Sequence, residues 1–569
     1  MARTRADYER IIDQGLGRIP ADLVIKNVRW LNVVTGETAE GDIAIGGDRI
    51  VGTYDAYSGA REVDGHGLIA VPGFIDTHVH CESTLVTPAE FDRCVLPRGT
   101  TTAICDPHEI CNVLGETGLR YFLESAEATA LDLYVQLSSC VPATNLETAG
   151  ARLTAADLAR YRDHVRVRGL AELMNFPGLF AKDPEVLDKL VAFDGRHIDG
   201  HSPLMRGREL NAYLACGVRN CHETTAPDEA LEKLRKGMQV LIRDGSVSKD
   251  VHALAPLVNE TTSPFFGFCT DDRNPLDIAE EGHLDHLIRR AIARGAPAAH
   301  VYRAATWSAA RGFGLTDRGL IAPGYRADLV LLNDLESCAV ASVIKDGCVV
   351  DDATFAGRRR VAPVGLNSVK LDRVGSDTFA VPASAATMPV IGVASGSIVT
   401  SRLDVTIAVR GGHCVADTAS DVLKIAVLSR HGINRNVGRG FVRGMGLQHG
   451  ALASSVGHDS HNVCVVGTND SDMAIAVNRL IELQGGFVAA AGGSVRAELP
   501  LPVAGLMNPG TFETVEQGLK GLRAAVRAMG CRLPEPFLQL AFLALPVIPH
   551  LKITDRGLVD VDRFELIAA

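Results

Sequence analysis

VPGFIDTHVHCEST, residues 71–84, is the most telling segment of the chain. A short apolar run ends at Ile75 and leads into Asp76, His78 and His80. Side chains two apart on a β-strand face the same side. His78 and His80 therefore project together, close enough to hold one metal ion. Pro72 and Gly73 supply the turn that marks where the strand begins. The segment implies a metal-dependent hydrolase whose remaining ligands lie elsewhere in the chain.

Downstream, over residues 72–318, short apolar runs alternate with amphipathic stretches. The runs are TTAICD, LDLYVQLSSC, VRGLAELMN, HIDGH, GVRNCHE and FFGFCTDD. The amphipathic stretches between them are PAEFDRCVLPRG, GLRYFLESAEATA, DEALEKLRKGMQVLIRDG and EGHLDHLIRRAIARG. Strands alternating with helices predict parallel βα units and an α/β fold. About eight such units over this length predict a (β/α)8 barrel. No GxGxxG turn follows a strand, which disfavours an open doubly wound sheet.

Working outward, residues 22–74 and 319–350 share a different texture of short strands broken by turns such as Asp346-Gly347. They predict one small sheet domain assembled from both segments, with the barrel inserted between them. Residues 351–380 read as an irregular linker carrying Arg358, Arg359 and Arg360, and the rest reads as a further α/β domain. The predicted divisions are residues 1–71 and 319–380 for the small domain and linker, 72–318 for the barrel, and 381–569 for the C-terminal domain.

Composition narrows the function classes. The 569 residues are 46% hydrophobic and carry a formal net charge of −11, so the chain permits a large core and offers no basic stretch for a nucleic-acid polymer. The thirteen cysteines include no CxxC pair, which predicts free thiols in a reducing compartment. The N-terminus lacks an apolar core and the longest apolar segments are too short to span a bilayer, so a cytoplasmic protein with no membrane partner is expected.

Polar residues gather where barrel strands should end, which is where barrels place catalytic groups. Beyond His78 and His80 these are Asp106, His108 and Glu109, then Glu172, His201, His222 and Glu223, then Asp271 and Asp272. Each also has a plain structural reading: Asp106 before Pro107 fits a helix cap, His201 and His222 fit hydrogen-bonded core histidines, and Asp271-Asp272 fits a turn. Their recurrence after short apolar runs favours a shared site. Imidazoles and carboxylates together suit zinc, iron or manganese. Two cations about 3.5–4 Å apart require a bridging anion, a role that the two oxygens of Glu172 suit. Asp271 is placed to accept a proton and pass it to a leaving group.

PGFIDTHVHCEST, DPHEICNVLG, GLAELMNFPG, DGHSPLMRGRELNAY, NCHETTAPDEALEKLRKGM and CTDDRNPLDI together resemble the adenine deaminase family of the amidohydrolase superfamily. The likeness spans most of the chain and extends to RGFVRGMGLQHGALASSVGHDSHNVCVVGTND near its end. Cys81, Cys105 and Cys111 depart from it, standing where aliphatic or small residues are expected, and leave the charged positions intact. The resemblance implies a barrel with a composite β-sandwich domain and two divalent metal ions, manganese, iron or zinc. It makes His78 and His80 the first-strand ligands, and His201 and His222 those of the fifth and sixth strands. Glu172 takes the place of the carbamylated lysine that bridges the metals in many relatives, with Lys182 a rival bridge. Asp271 becomes ligand and proton shuttle. The implied reaction is attack on C6 of adenine by a metal-bridging hydroxide, giving hypoxanthine and ammonia. Protonation of the ring falls to Glu109, Glu223 or Asp272, with Glu223 the first choice beside Asp271 as catalytic residue. Asp106 and His108 are second-layer candidates, and His108 could also hold an extra metal.

HDSHN, residues 458–462, reads either as a turn before the strand VCVVG or as a loop reaching the barrel mouth. A homo-oligomer, such as a dimer, fits the apolar patches of the last domain. Two rivals remain at this level. One is another amidohydrolase acting on a cyclic amide or N-acyl group. The other is a barrel scaffold that has lost its metals, which the full complement of ligand types disfavours.

Overall fold

The computed structural model describes residues 3–383 and 387–567. Eight parallel strands run through the middle of the chain: β1 (Phe74–Val79), β2 (Thr100–Cys105), β3 (Asp132–Leu137), β4 (Val167–Leu173), β5 (His197–Gly200), β6 (Asn220–Cys221), β7 (Gln239–Arg243) and β8 (Phe266–Cys269). Strands β1 to β5 form one parallel sheet and β6 to β8 another. Two seams join them. At the first, the Asp271 amide donates to the His78 carbonyl (3.0 Å) and the His80 amide to the Asp271 carbonyl (3.3 Å). At the second, the Arg219 amide donates to the Ile198 carbonyl (3.2 Å) and the Gly200 amide to Asn220 Oδ1 (2.9 Å). The closed ring is an α/β barrel of the TIM type.

The strands are buried along nearly their whole length, as parallel strands covered by helices must be. The helix Leu284–Ala293 shows how the cover is made. Leu284, Leu287, Ile288 and Ala291 recur at helical spacing and are buried, while the opposite face carries charge. The stretch DEALEKLRKGMQVLIRDG, taken from sequence as one amphipathic segment, divides into the helix Pro227–Arg235 and strand β7. Gly237, at φ +82, stops the helix in a conformation that glycine adopts freely. The continuous run Val240, Leu241, Ile242 then enters the barrel wall.

Strands from residues 23–72 and 329–349 share one eight-stranded sheet. Within it, Ile69–Pro72 pairs with Leu329–Leu332 and leads through Gly73 into β1. The Gly73 amide donates to the Asp328 carbonyl (2.8 Å), which fixes where the first barrel strand starts. Residues 351–380 are irregular apart from Asp352–Ala356 and Ser376–Phe379.

The C-terminal part builds a second eight-stranded sheet, in the order Ser401–Thr406, Thr387–Gly392, Val437–Arg443, Val422–Leu428, Val463–Gly467, Ala451–Ser454, Gly486–Ala491, Ser494–Pro500. All of its pairings are antiparallel except that of Thr387–Gly392 with Val437–Arg443. It rests on the loops at the C-terminal ends of the barrel strands. Asn462 Nδ2 donates to the Thr148 carbonyl (2.9 Å), Thr554 Oγ1 to the Leu146 carbonyl (2.7 Å) and the Asn508 amide to the Leu85 carbonyl (2.8 Å). All thirteen cysteines are free thiols. Among the described residues no helix is long and apolar enough to cross a membrane.

Candidate metal centre

The strand parity that places His78 and His80 on one side brings their Nε2 atoms to 3.1 Å. His80 Nδ1 bonds the Asp106 carbonyl (2.9 Å), which leaves Nε2 as the lone-pair donor. Asp271 lies two residues past the end of β8 at φ +52, and its carboxylate turns inward. Its Oδ1 lies 3.5 Å from His78 Nε2 and 3.2 Å from His80 Nε2.

Glu172, in β4, joins this group to a second one. Its Oε1 is 3.7 Å from His78 Nε2 and 3.4 Å from His80 Nε2. Its Oε2 is 2.6 Å from His201 Nδ1 and 3.2 Å from His222 Nε2. His201 follows β5 and His222 follows β6. Six side chains from distant parts of the sequence thus converge, each under a tenth exposed. Lys182 stands apart, exposed beyond the helix Phe176–Phe180.

The electrostatics of the group call for positive charge. Burial works against protonated imidazoles, yet the surrounding carboxylates outweigh it. They raise His80 and His108 well above their ordinary value and His201 to about 9. Facing imidazole nitrogens at 3.1 Å, with carboxylate oxygens at similar range, form the donor set of a divalent cation. The residues present therefore fit the metal that such an arrangement needs.

The second-layer candidates have specific contacts. Asp106 does not cap the helix His108–Leu114, whose first turn has no side-chain cap. It accepts instead from His108 Nδ1 (2.9 Å) and Ser138 Oγ (2.8 Å). Ser83 links Glu109 (3.3 Å) to Asp272, to which its hydroxyl donates. Burial, with the charges of Asp272 and Glu82, pushes Glu109 well above the usual carboxylate range. Burial also lifts Glu82 to about 7.

Arg243, which the sequence reading missed, ends β7 and points at the centre. Its Nη1 donates to Asp271 Oδ2 (2.8 Å), its Nη2 to Glu223 Oε2 (3.0 Å) and its Nε to Asp250 Oδ2 (3.1 Å). Burial would raise Glu223, but the Arg243 charge holds it below its ordinary value. A signal existed: Arg243 follows a short apolar run, as the other candidates do. Ser83 and Glu82 likewise stood in plain view inside CEST, directly after the histidine pair.

Above the ligands lies a small, partly open cavity of ≈ 20 Å³, lined by His80, His108, Glu223 and Asp272 below and by residues of the C-terminal domain above. The upper wall consists of Ile398, Phe542, Leu545 and Ile548 with His458 and Asp459. HDSHN is therefore both a turn before the strand Val463–Gly467 and part of the cavity wall.

Residues 69–350 match the amidohydrolase family, and residues 397–565 match the adenine deaminase C-terminal domain. The chain is 62% identical to an adenine deaminase of Methylobacterium nodulans, over 99% of this chain and 100% of that protein. It is 59% identical to adenine deaminase 1 of Rhizobium johnstonii, over 98% of each chain. It is 58% identical to an adenine deaminase of Brucella suis, over 100% of this chain and 98% of that one. The chain belongs to the adenine deaminase family of amidohydrolases.

Proposed function

We propose that this member of the family hydrolyses adenine to hypoxanthine and ammonia in the cleft above these ligands. The observation that carries the reading is the pairing of a floor of imidazoles and carboxylates with an apolar roof of Ile398, Phe542, Leu545 and Ile548. A purine is flat and weakly polar on its faces, with its donors and acceptors on its edges. A slot with apolar walls and carboxylates at one end matches that pattern.

In this reading His78, His80, Glu172, His201, His222 and Asp271 would hold the divalent cations. Manganese, iron and zinc all suit these donors. When bound, such a pair brings the pKa of a coordinated water down toward neutrality and stabilises negative charge developing on the substrate.

The chain's own groups move the protons. Burial alone would raise the Asp271 carboxyl, but hydrogen bonds from His78 and His80 and the Arg243 charge hold it well below the usual range. Ionised and aimed at the cavity floor, it accepts the proton of the attacking water. It returns that proton to the amino nitrogen on C6, the C–N bond breaks, ammonia leaves, and the second water proton, released as the C6 carbonyl forms, goes back through Asp272 and Ser83 to Glu109. Attack at C6 also dearomatises the ring, so a ring nitrogen must gain a proton. Glu223, kept ionised by Arg243, is unsuited to give one and accepts a hydrogen bond from a ring N–H instead. Asp272 lines the cavity and delivers the proton, resupplied through Ser83 from Glu109, which burial keeps protonated. The thirteen free thiols support a reducing compartment, and with it a cytoplasmic location, as part of this reading.

The test is ammonia release from adenine, set against hydrolysis of hydantoin and dihydropyrimidine, by metal-loaded protein. Adenine is expected to react and the cyclic amides not. Turnover of a cyclic amide with adenine untouched overturns the proposal.

A further inference from the structure

The cavity wall holds a second convergence of ligand-type side chains that the proposed reaction leaves unused. His108 reaches it from the helix His108–Leu114 that follows β2, and His458 and Asp459 reach it from the turn before the strand Val463–Gly467. His108 Nδ1 is committed to Asp106 Oδ2 at 2.9 Å, so Nε2 is left as its free donor. That Nε2 lies 3.5 Å from Asp459 Oδ1. His458 Nδ1 is 3.7 Å from the same oxygen and 3.4 Å from Glu109 Oε1.

Three observations point to a missing partner. His108, His458 and Asp459 are each no more than 3% exposed. Both carboxylate oxygens of Asp459 are buried without a hydrogen-bond partner, a costly state for a carboxylate. Among the described residues, no lysine or arginine pairs with Asp106, Glu109, Asp272 or Asp459; their ion-pair partners are histidines alone, and Asp272 has none.

Asp459 Oδ1 stands 3.5 and 3.7 Å from the two imidazole nitrogens, and one donor atom from each of the three residues lies within 4.8 Å of the others, close to the spacing of ligands around one ion. Nitrogen and oxygen donors about 2.0–2.2 Å from a tetrahedral metal lie about 3.3–3.6 Å from one another. The same range separates Asp271 Oδ1 from its two imidazoles, at 3.5 and 3.2 Å. We infer that His108, His458 and Asp459 form a third divalent-cation site, which pins the C-terminal domain to the mouth of the barrel. Two imidazoles and a carboxylate suit zinc, manganese or iron. The site shares no ligand with the paired centre. Because one ligand belongs to the barrel and two to the roof, its occupancy holds the cavity shut.

The full-length protein, purified with manganese and no chelator, tests this by elemental analysis and by anomalous diffraction at the manganese edge. Three manganese ions per chain are expected, with an anomalous peak between His108 Nε2 and the Asp459 carboxylate. Asp459→Asn and His458→Gln should each hold two. Two ions per wild-type chain and no peak among these residues overturn the third site, as does an Asp459→Asn protein that still binds three. The wild-type map settles the matter even if the variants fold poorly. Full ammonia release from adenine by a protein with only two ions refutes the third site while leaving the proposed reaction standing.

Discussion

Replacing Arg243 by Gln tests how the acids around the centre are kept ionised. The guanidinium faces Asp271 at 2.8 Å, Glu223 at 3.0 Å and Asp250 at 3.1 Å. Burial pushes all three carboxyls up. Asp250 stands at about 6 even with the shared cation beside it, whereas Asp271 and Glu223 are held below their ordinary values. At a charge separation of about 4 Å and an effective dielectric near 20, one such pair is worth ~4 kcal/mol, or about three pKa units. The bound cations retain part of that effect, so removing Arg243 should raise the Asp271 carboxyl by about one to two units. Asp271 must be ionised to accept a proton, so activity exists above its pKa and is lost as the pH falls through it. The acid limb of kcat/KM for adenine therefore moves to higher pH by about one to two units in Arg243→Gln. Arg243→Lys keeps the charge but not the two-pronged geometry, so it should restore the acid limb while kcat stays low. Ammonia release measured from about pH 5 to 9 reads both. An acid limb in the Gln variant that coincides with the wild-type limb refutes this role for Arg243.

Glu172→Gln removes the charge that both groups of ligands face, so metal content and turnover should fall together. The loss should exceed the ~10–100-fold in affinity typical of outer partners. Lys182→Ala, at an exposed position, should leave both unchanged; the opposite pattern would hand the bridge to Lys182. Chelation should abolish ammonia release and added manganese, iron or zinc should restore it, and a metal-free protein that still deaminates adenine would remove the metals from the reaction. Lys552 is buried, its amine bonded to the carbonyls of Ile398 (2.8 Å) and Phe542 (3.0 Å), and burial depresses it to about 7. Its unfolded value is near 10.4, so between about pH 7 and 10 the unfolded chain binds a proton that the folded one lacks. Stability should thus rise with pH across that window, by up to ~4–5 kcal/mol, and Lys552→Met should flatten the rise in thermal denaturation scans. An unaltered slope would clear Lys552 of the effect.

The parts of the site that are legible in sequence are those set by local geometry. Strand parity alone put His78 and His80 together, and the alternation of apolar runs with amphipathic stretches announced the barrel. Arg243 escaped because its strand was hidden behind Gly237 in a segment whose charges look helical. Basic residues at a strand end also raise less suspicion than a histidine pair. The role of Glu223 could not be assigned without Arg243. An isolated glutamate beside a ligand suits an acid, whereas a glutamate gripped by a guanidinium is a base or an acceptor.

The roof was the least legible part, for a different physical reason. Ile398, Phe542, Leu545 and Ile548 are ordinary apolar residues whose local pattern matches any core segment. Only the packing of one domain on another turns them into a cavity wall. The floor needs charged groups at fixed spacing and so leaves a mark in the sequence. Enclosure needs only apolar surface at the right place and leaves none. The two also divide the chemistry. The floor sets the reaction class, because imidazoles, acids and cations activate water against many electrophilic carbons. In the proposed reading the roof, which comes from the C-terminal domain, decides which flat molecule fits above that water. Lys552 binds the carbonyls of Ile398 and Phe542 from beneath, joining two roof segments that are far apart in sequence. The buried amine thus costs stability while tying those two segments together.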